Sequence, residues 1–586
     1  MKELLARLLA RPGVAIELGL ASLFVNLLAL ASPLFVIQVL NRYVNQGVDA
    51  TLITLMTGVL LAVGLEFGFR QVRMRLADGI SAGPDAKAAA SGFAILTQAK
   101  TAAIEQVPPE IRSEMVNGAA SLEAAYNANN VTAVLDVPFA MLFVFVLYLL
   151  SPVIAGVVLL FLIFVFISGA VGASSVRKKT KKLMEAGAHG NAVLGTALKE
   201  IDTVRAFNAG AYLRKNMAEK NSTIQTVRQK IASGMGLNQT VTHTAASLLS
   251  VVVISVGALL AVKGLMDIGV MIGANILAAR ALQPISKFSS LGATFAKAKQ
   301  ALELYKQFSM VPLEPQTGTA KANYHGGLSL RDVAFAHHGS STPLFESLNL
   351  EIEPGQIIVV VGSNSTGKTT LARVAVGLLE PTRGQILADG LDLRQVAPEW
   401  WRKQIIYLPQ EPTFLNATFE ENLKITNPDI DMAGLNKVIE AVGLRNFLDE
   451  STQGFDTPII ENGRRLSVGI RRRLAFARAL ATNGKLIIVD EPTEGLDTDG
   501  CQAVYRLLNE LSKAGRTIIA VSHDQNILKA AHTVIDLNFK PTPKVTTLPR
   551  AVPDKAPDKA PDKAPDKAPD KAEENATEVA AKGAAE

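Results

Sequence analysis

Cysteine is nearly missing from this sequence. Cys501 is the single one among 586 residues, which excludes an intrachain disulfide framework and any multi-cysteine metal site. Charge is scarce as well: Asp, Glu, Lys and Arg make up 19% of the chain, against 48% hydrophobic residues. Such a balance excludes a disordered chain and argues against an ordinary soluble enzyme. Nor is there a strong excess of one sign. The 59 Lys and Arg against 53 Asp and Glu leave +6, too little to mark a nucleic-acid partner. The length exceeds one compact domain of about 100–200 residues.

What is present in abundance is apolar text. A bilayer span needs about 20 apolar residues, and six such runs precede residue 290, at about 14–40, 51–69, 131–150, 153–172, 245–262 and 268–282. They come in pairs. Only Ser151-Pro152 separates the third from the fourth, and Lys263 to Asp267 the fifth from the sixth, so three helical hairpins are expected. The connection from Ala173 to Thr244 carries twelve basic against four acidic residues, among them Arg177, Lys178, Lys179, Lys181 and Lys182, and the connection from Arg70 to Asn130 adds six basic ones. The short connections hold only Arg42 and Lys263. Basic connections stay on the cytoplasmic side, which puts both long connections and both chain ends there. Ala29-Leu30-Ala31 fits a signal-cleavage pattern, but apolar text runs on to Leu40, and an uncleaved first helix is expected. Each long connection reads as two helices of about 30 residues, about 45 Å long, projecting from the bilayer and suited to transmitting motion.

From Leu328 onward the pattern changes to short β-type runs alternating with helices, as in an α/β domain. The apolar run Ile357 to Val361 leads into Gly362-Ser363-Asn364-Ser365-Thr366-Gly367-Lys368-Thr369-Thr370. This is the phosphate-binding pattern G-x-x-x-x-G-K-[ST] with a strand before it and a helix after it. Its backbone N–H groups wrap phosphates at a helix N-terminus. Lys368 is expected to reach the β- and γ-phosphates, and the Thr369 hydroxyl to ligate Mg²⁺. A second apolar strand ends in Asp490-Glu491, 122 residues after Lys368. Such an Asp suits the metal, and the adjacent Glu suits polarising the attacking water. A third strand ends in Ser522-His523 and a fourth in Tyr407-Leu408-Pro409-Gln410, which offers an amide to metal and water. One such group by itself is as readily a satisfied carboxylate or a capping His. Four at three strand ends, in order with a phosphate loop, point to one phosphate site.

On these residues the chain resembles the ATP-binding cassette (ABC) proteins. Leu466-Ser467-Val468-Gly469-Ile470 is similar to their signature motif, and Glu494-Gly495-Leu496-Asp497 to their D-loop; the nucleotide-domain likeness covers about 328–537. The six spans with long cytoplasmic connections resemble the exporter-type membrane domain. The expected architecture is thus a multi-domain integral membrane protein. An all-α six-helix transmembrane domain (1–309) is followed by a linker (310–327), an α/β P-loop nucleotide-binding domain (328–540) and a disordered tail (541–586). The resemblance implies ATP and Mg²⁺ as ligands and a head-to-tail dimer. In that dimer Ser467 and Gly469 of one half face the γ-phosphate held by the other. It also implies Glu491 as the base, with Thr369, Gln410 and Asp490 at the metal and His523 on the γ-phosphate. The adenine-stacking position falls on His337, in Phe335-Ala336-His337.

The departures from the family pattern matter too. Val468 and Ile470 replace a glycine and the glutamine of the usual Leu-Ser-Gly-Gly-Gln, and Ser365 stands where a further glycine is common. Either the subfamily has drifted with activity intact, or the composite site is weakened and a partner half supplies a regular signature.

Three membrane segments are similar to type I secretion exporters of the haemolysin and metalloprotease kind: Ala31-Ser32-Pro33 through Asn41-Arg42, Leu135-Asp136-Val137-Pro138-Phe139, and Met271 through Arg280 to Pro284-Ile285. The resemblance implies a polypeptide cargo, a second exporter half (a homodimer before a heterodimer), a periplasmic adaptor, an outer-membrane channel and residence in a bacterial inner membrane. Exporters of lipid, glycan or small molecules share the same engine, and a nucleotide sensor that does not transport is the rival outside that class. The text begins almost directly at the first span, so leader-peptide cleavage is not expected. Glu17, Asn26, Gln38, Glu66, Asn275 and Arg280 lie in or near spans, where polar groups line a path or tie helices together. Pro-Asp-Lys-Ala repeats five times from Pro553 to Ala572 and cannot bury a core. Cys501 reads as a small packing residue.

Overall fold

The computed structural model describes residues 2–318 and 323–548. Among the described residues, six helices are long and apolar enough to cross a membrane: Pro12–Gln46, Asp49–Gln98, Ala128–Leu150, Pro152–Lys199, Gly210–Val262 and Ile268–Ser290. Three of them run on without a break from apolar into basic text. At 1.5 Å per residue, the 48 residues of Pro152–Lys199 extend about 70 Å, more than twice a hydrocarbon core of about 30 Å. The second connection holds the expected pair of long helices, as continuations of the spans up to Lys199 and from Gly210; the expectation is corrected for the first. In the first connection the return helix is Pro109–Ala125, only 17 residues, because Pro108-Pro109 lack the N–H groups a longer helix needs and hold the chain extended. A short helix, Thr101–Glu105, occupies the tip, and Ile201–Ala206 does so in the second connection.

The chain divides into two units, the first comprising Met1–Ala322 together with Arg373–Glu380 and Leu393–Arg402. Within this unit the spans pack through small residues. A side chain at Gly273 would overlap Ile37, and one at Gly292 would meet Ala173 Cβ at 2.6 Å. At the first tip, Arg373 Nη2 donates to Glu105 Oε1 (2.5 Å) and Lys100 Nζ to Glu380 Oε1 (2.7 Å).

Of the polar residues in the spans, Asn26 ties separate helices together, whereas Glu66 pairs within its own helix. Asn26 Nδ2 donates to Asp136 Oδ1 at 3.1 Å, and the same oxygen accepts from Arg73 Nη1 at 2.6 Å. Glu66 pairs with Arg70 one turn on. Arg73 is only 7% exposed, so its partner's loss strands a buried charge. Asp136→Leu is expected to cost about 3–5 kcal/mol, read as a lower thermal midpoint in nanodiscs, and Arg73→Met in the same chain should return most of the loss.

The second unit comprises Asn323–Ala372, Pro381–Asp392 and the chain from Lys403 onward. One sheet is antiparallel, in the order β2 (Phe345–Ile352), β1 (Leu328–Phe335), β4 (Arg383–Ala388), β5 (Leu391–Asp392). The other has the order β10 (Lys544–Thr547), β9 (Thr533–Asp536), β3 (Ile357–Val361), β8 (Thr517–Val521), β7 (Leu486–Asp490), β6 (Ile405–Leu408). From β9 to β6 the pairings are parallel. Strands β7 and β8 are buried along their whole length, as parallel strands covered on both faces are. Strand β10 overturns the expected boundary at residue 540. Lys544 to Thr547 pair antiparallel with Asp536 to Thr533, because the β-branched run Val545-Thr546-Thr547 finds an open sheet edge. The Pro-Asp-Lys-Ala repeats lie outside the described residues.

Candidate functional site

Parallel strands deliver their C-terminal ends to one edge of the sheet, where ligands of open α/β folds bind. At that edge β3 opens into the loop Gly362 to Gly367, and the helix Lys368–Ala375 follows at once. Gly367 has φ +107°, and a Cβ there would lie 2.7 Å from Leu344 Cδ2, so the end of the β1–β2 hairpin closes on the loop. Ser365, the residue standing in for a glycine, has φ +65°; an L-residue accepts this at about 1–2 kcal/mol. The loop is pinned from outside, with Ser363 N and Oγ both donating to Asn538 Oδ1 at 2.9 Å. Thr366 Oγ1 closes it by donating to Ser363 O (2.9 Å).

Lys368 folds back over the loop. Its Nζ donates to Gly362 O at 2.6 Å and lies 3.1 Å from His523 Nε2. The same His523 nitrogen is 3.8 Å from Glu491 Oε1. Three groups from the ends of β3, β7 and β8 thus meet as a chain of cation, imidazole and carboxylate. Burial raises the Glu491 carboxyl above its ordinary range, while His523 and Lys368 oppose the rise. Glu491 itself has φ +48°, a strain of about 1–3 kcal/mol that persists only where surroundings over-determine it.

Asp490 lies beneath, 1% exposed. Burial raises its carboxyl too, countered first by the Thr369 hydroxyl and then by Lys368. Among the described residues, neither of its buried oxygens accepts a hydrogen bond of ordinary geometry. A buried carboxylate so placed beside a hydroxyl and a phosphate loop fits a hard divalent cation with oxygen ligands. Gln410, expected at the same metal, donates instead to Glu494 Oε2 at 3.4 Å. His337 stacks edge-on against Phe335, with centroids 5.3 Å apart, just past the end of β1.

Models of known families agree with this layout. That for the "ABC transporter transmembrane region" matches residues 15–285, and that for "ABC transporter" matches 345–494, from β2 to just beyond Asp490-Glu491. The chain belongs to the ABC transporters. As a member of that family it is an ATPase coupled to transport, a multi-pass inner-membrane protein whose nucleotide-binding domain is cytoplasmic. The transporter is 27% identical over 536 residues to the "Alpha-hemolysin translocation ATP-binding protein HlyB" of Escherichia coli O157:H7, covering 89% of this chain and 74% of that protein. It is 26% identical over 522 residues to the "Cyclolysin secretion/processing ATP-binding protein CyaB" of Bordetella pertussis, covering 89% and 73%. Against the "Toxin RTX-I translocation ATP-binding protein" of Actinobacillus pleuropneumoniae it is 24% identical over 524 residues, covering 89% and 74%. Its fold is that of a bacterial Atm1-family ABC exporter solved with ATP bound, at TM-score 0.76 and 18% identity over 90% of this chain and 93% of that one.

In the transporter's signature segment, Ser467 caps the helix Val468–Leu480 by accepting from Ile470 N (3.3 Å). Among the described residues, no hydrogen bond joins Ser467 or Gly469 to this chain's own phosphate loop. Val468 and Gly469 stand instead against the D-loop. A Cβ at Gly495 would be 3.2 Å from Val468 Cγ1, and one at Gly469 would be 3.9 Å from Leu496 and otherwise open. Asp497 caps the next helix through Gly500 N (2.8 Å) and accepts from Arg473 (3.3 Å). Val468 is 43% exposed, a valine presented outward where the family has glycine.

Three structural contributors have no role assigned from the sequence: Asn538, Arg472, and Glu494, which the sequence marks only as part of the D-loop segment. Arg472 had the best signal, as the middle of three arginines directly after the signature; nothing local distinguished it from its neighbours.

Proposed function

We propose that this transporter is the ATPase and permease of a type I secretion system, exporting an unfolded polypeptide as a dimer. The reading of the cargo is supported by one observation above all. Relatives alike over 89% of this chain, membrane half included, are named for toxin translocation or secretion. By the same analogy a periplasmic adaptor and an outer-membrane channel complete the path, and two identical chains form the exporter.

In the proposed mechanism, the loop Gly362 to Thr370 holds the ATP phosphates and His337 stacks on the adenine. Glu491 accepts a proton from water as that water attacks the γ-phosphate; the bond to ADP breaks, and ADP leaves with the electron pair. Lys368 balances charge on the β- and γ-oxygens, and His523, touching both Lys368 and Glu491, orients the γ-phosphate and senses its loss. Thr369, Asp490 and Gln410 would hold Mg²⁺, which when bound neutralises charge on the phosphate oxygens. Gln410 reaches that cation only after its amide leaves Glu494. Ser467 and Gly469 of the second copy close the site, with Asp497 beside them.

A second reading has its own observation. The helical unit contains a cavity of about 280 Å³ lined by Asn238, Gln239, Thr242, His243, Lys287 and Ser289 among others, the size of a small polar molecule. ATPase turnover of the purified chain in nanodiscs separates the two. Acceleration by unfolded alpha-hemolysin supports polypeptide export. Acceleration by small polar solutes or lipid alone overturns it, and nucleotide binding without turnover points to a sensor.

A further inference from the structure

Arg472 is a long, permanently charged side chain, 8% exposed, in the second turn of the signature helix. A buried guanidinium needs acceptors, and those of Arg472 lie on three separate loop positions of the nucleotide site. Its Nη1 donates to the backbone oxygen of Glu491 at 2.5 Å. Its Nη2 donates to Glu494 Oε2 at 3.1 Å and to the backbone oxygen of Gln410 at 3.4 Å. Gln410 in turn donates to that same Glu494 oxygen. One planar fork therefore joins the ends of β6 and β7.

Glu491 explains why this matters. Its peptide is held on the other side by Glu491 N donating to Val521 O (2.8 Å). With φ at +48°, the residue keeps this conformation only while both sides are held. Arg472 supplies one of the two. It also stands one helical turn after Val468, so the clamp belongs to the helix that begins at the signature.

We infer that Arg472 is a positioning residue for hydrolysis: it touches no substrate, but sets Glu491 and Gln410 at the geometry in which the attacking water is activated and metal bound. This rests on Glu491 being the base. The three N–H groups of an ammonium radiate from one nitrogen and do not reproduce a planar fork spread over two, so Lys and Gln replacements grade the loss.

The experiment is steady-state ATPase of the full chain in nanodiscs, with nucleotide affinity measured separately by a fluorescent ATP analogue. Misplacing a catalytic group by about 1 Å costs up to about 100-fold. Arg472→Gln is accordingly expected to lower kcat by about 10- to 100-fold with KM and nucleotide affinity nearly unchanged, the sign of an interaction that acts on the transition state. Arg472→Lys should recover part of kcat, and Glu494→Gln, which leaves both backbone acceptors in place, should lose less than Arg472→Gln. If Arg472→Gln instead reduces only the folded yield, with kcat per folded site unchanged, or raises KM alone, the inference is overturned. A fully active Glu491→Gln would overturn the base assignment beneath it; an inactive Glu491→Gln beside a fully active Arg472→Gln overturns the positioning role alone.

Discussion

Glu491→Gln should leave a transporter that binds ATP and does not turn it over. General-base participation contributes about 10²- to 10⁴-fold, and the amide has the size of the carboxylate without its basicity, so kcat should fall by about that factor. The groups that hold the phosphates are untouched: Lys368 still folds onto Gly362 O, and Asn538 still pins Ser363. Affinity should consequently be unchanged or higher, since the amide removes a carboxylate from beside the γ-phosphate position. With product formation stopped, the closed dimer should accumulate, visible as an ATP-dependent shift in cross-linking between two copies. Undiminished turnover would take Glu491 out of the role.

The second large effect falls on binding itself. Lys368→Ala removes the ammonium that lies within 2.6 Å of Gly362 O and 3.1 Å of His523, where the β- and γ-phosphates are expected. Hydrogen bonds to charged groups contribute about 1.5–3 kcal/mol each, so affinity for ATP should weaken by about 10- to 100-fold at one such bond, more if it makes two. Turnover at cellular ATP should be lost as well, and with it the dimer shift. The two variants thus fail at different steps: one retains nucleotide and the other does not. A Lys368→Ala chain that binds ATP normally would move the phosphates away from this loop.

These contrasts depend on distances that only folding creates. Lys368 and His523 are 155 positions apart and Ser363 and Asn538 are 175 apart, yet they touch because β8, β3 and β9 are neighbours in one parallel sheet. The end of β10 at Thr547 was equally hidden, since four residues of mixed polarity declare themselves a strand only when an unpaired edge is waiting.

Local text by itself determined the rest. The six spans are written in runs of apolar residues because hydrocarbon accepts little else. The phosphate loop is contiguous because one backbone turn must supply the N–H groups, and Asp490 with Glu491 sit at the end of an unbroken apolar run. Orientation followed from where Lys and Arg were placed. Only the tertiary structure decided what those residues meet. It bent Glu491 into the left-handed region, gave the Gln410 amide to Glu494, and turned one arginine of three inward to clamp both. The physical reason is the same in each case. A buried charge or a strained peptide is settled by partners far along the chain, and no stretch of neighbouring residues carries that information.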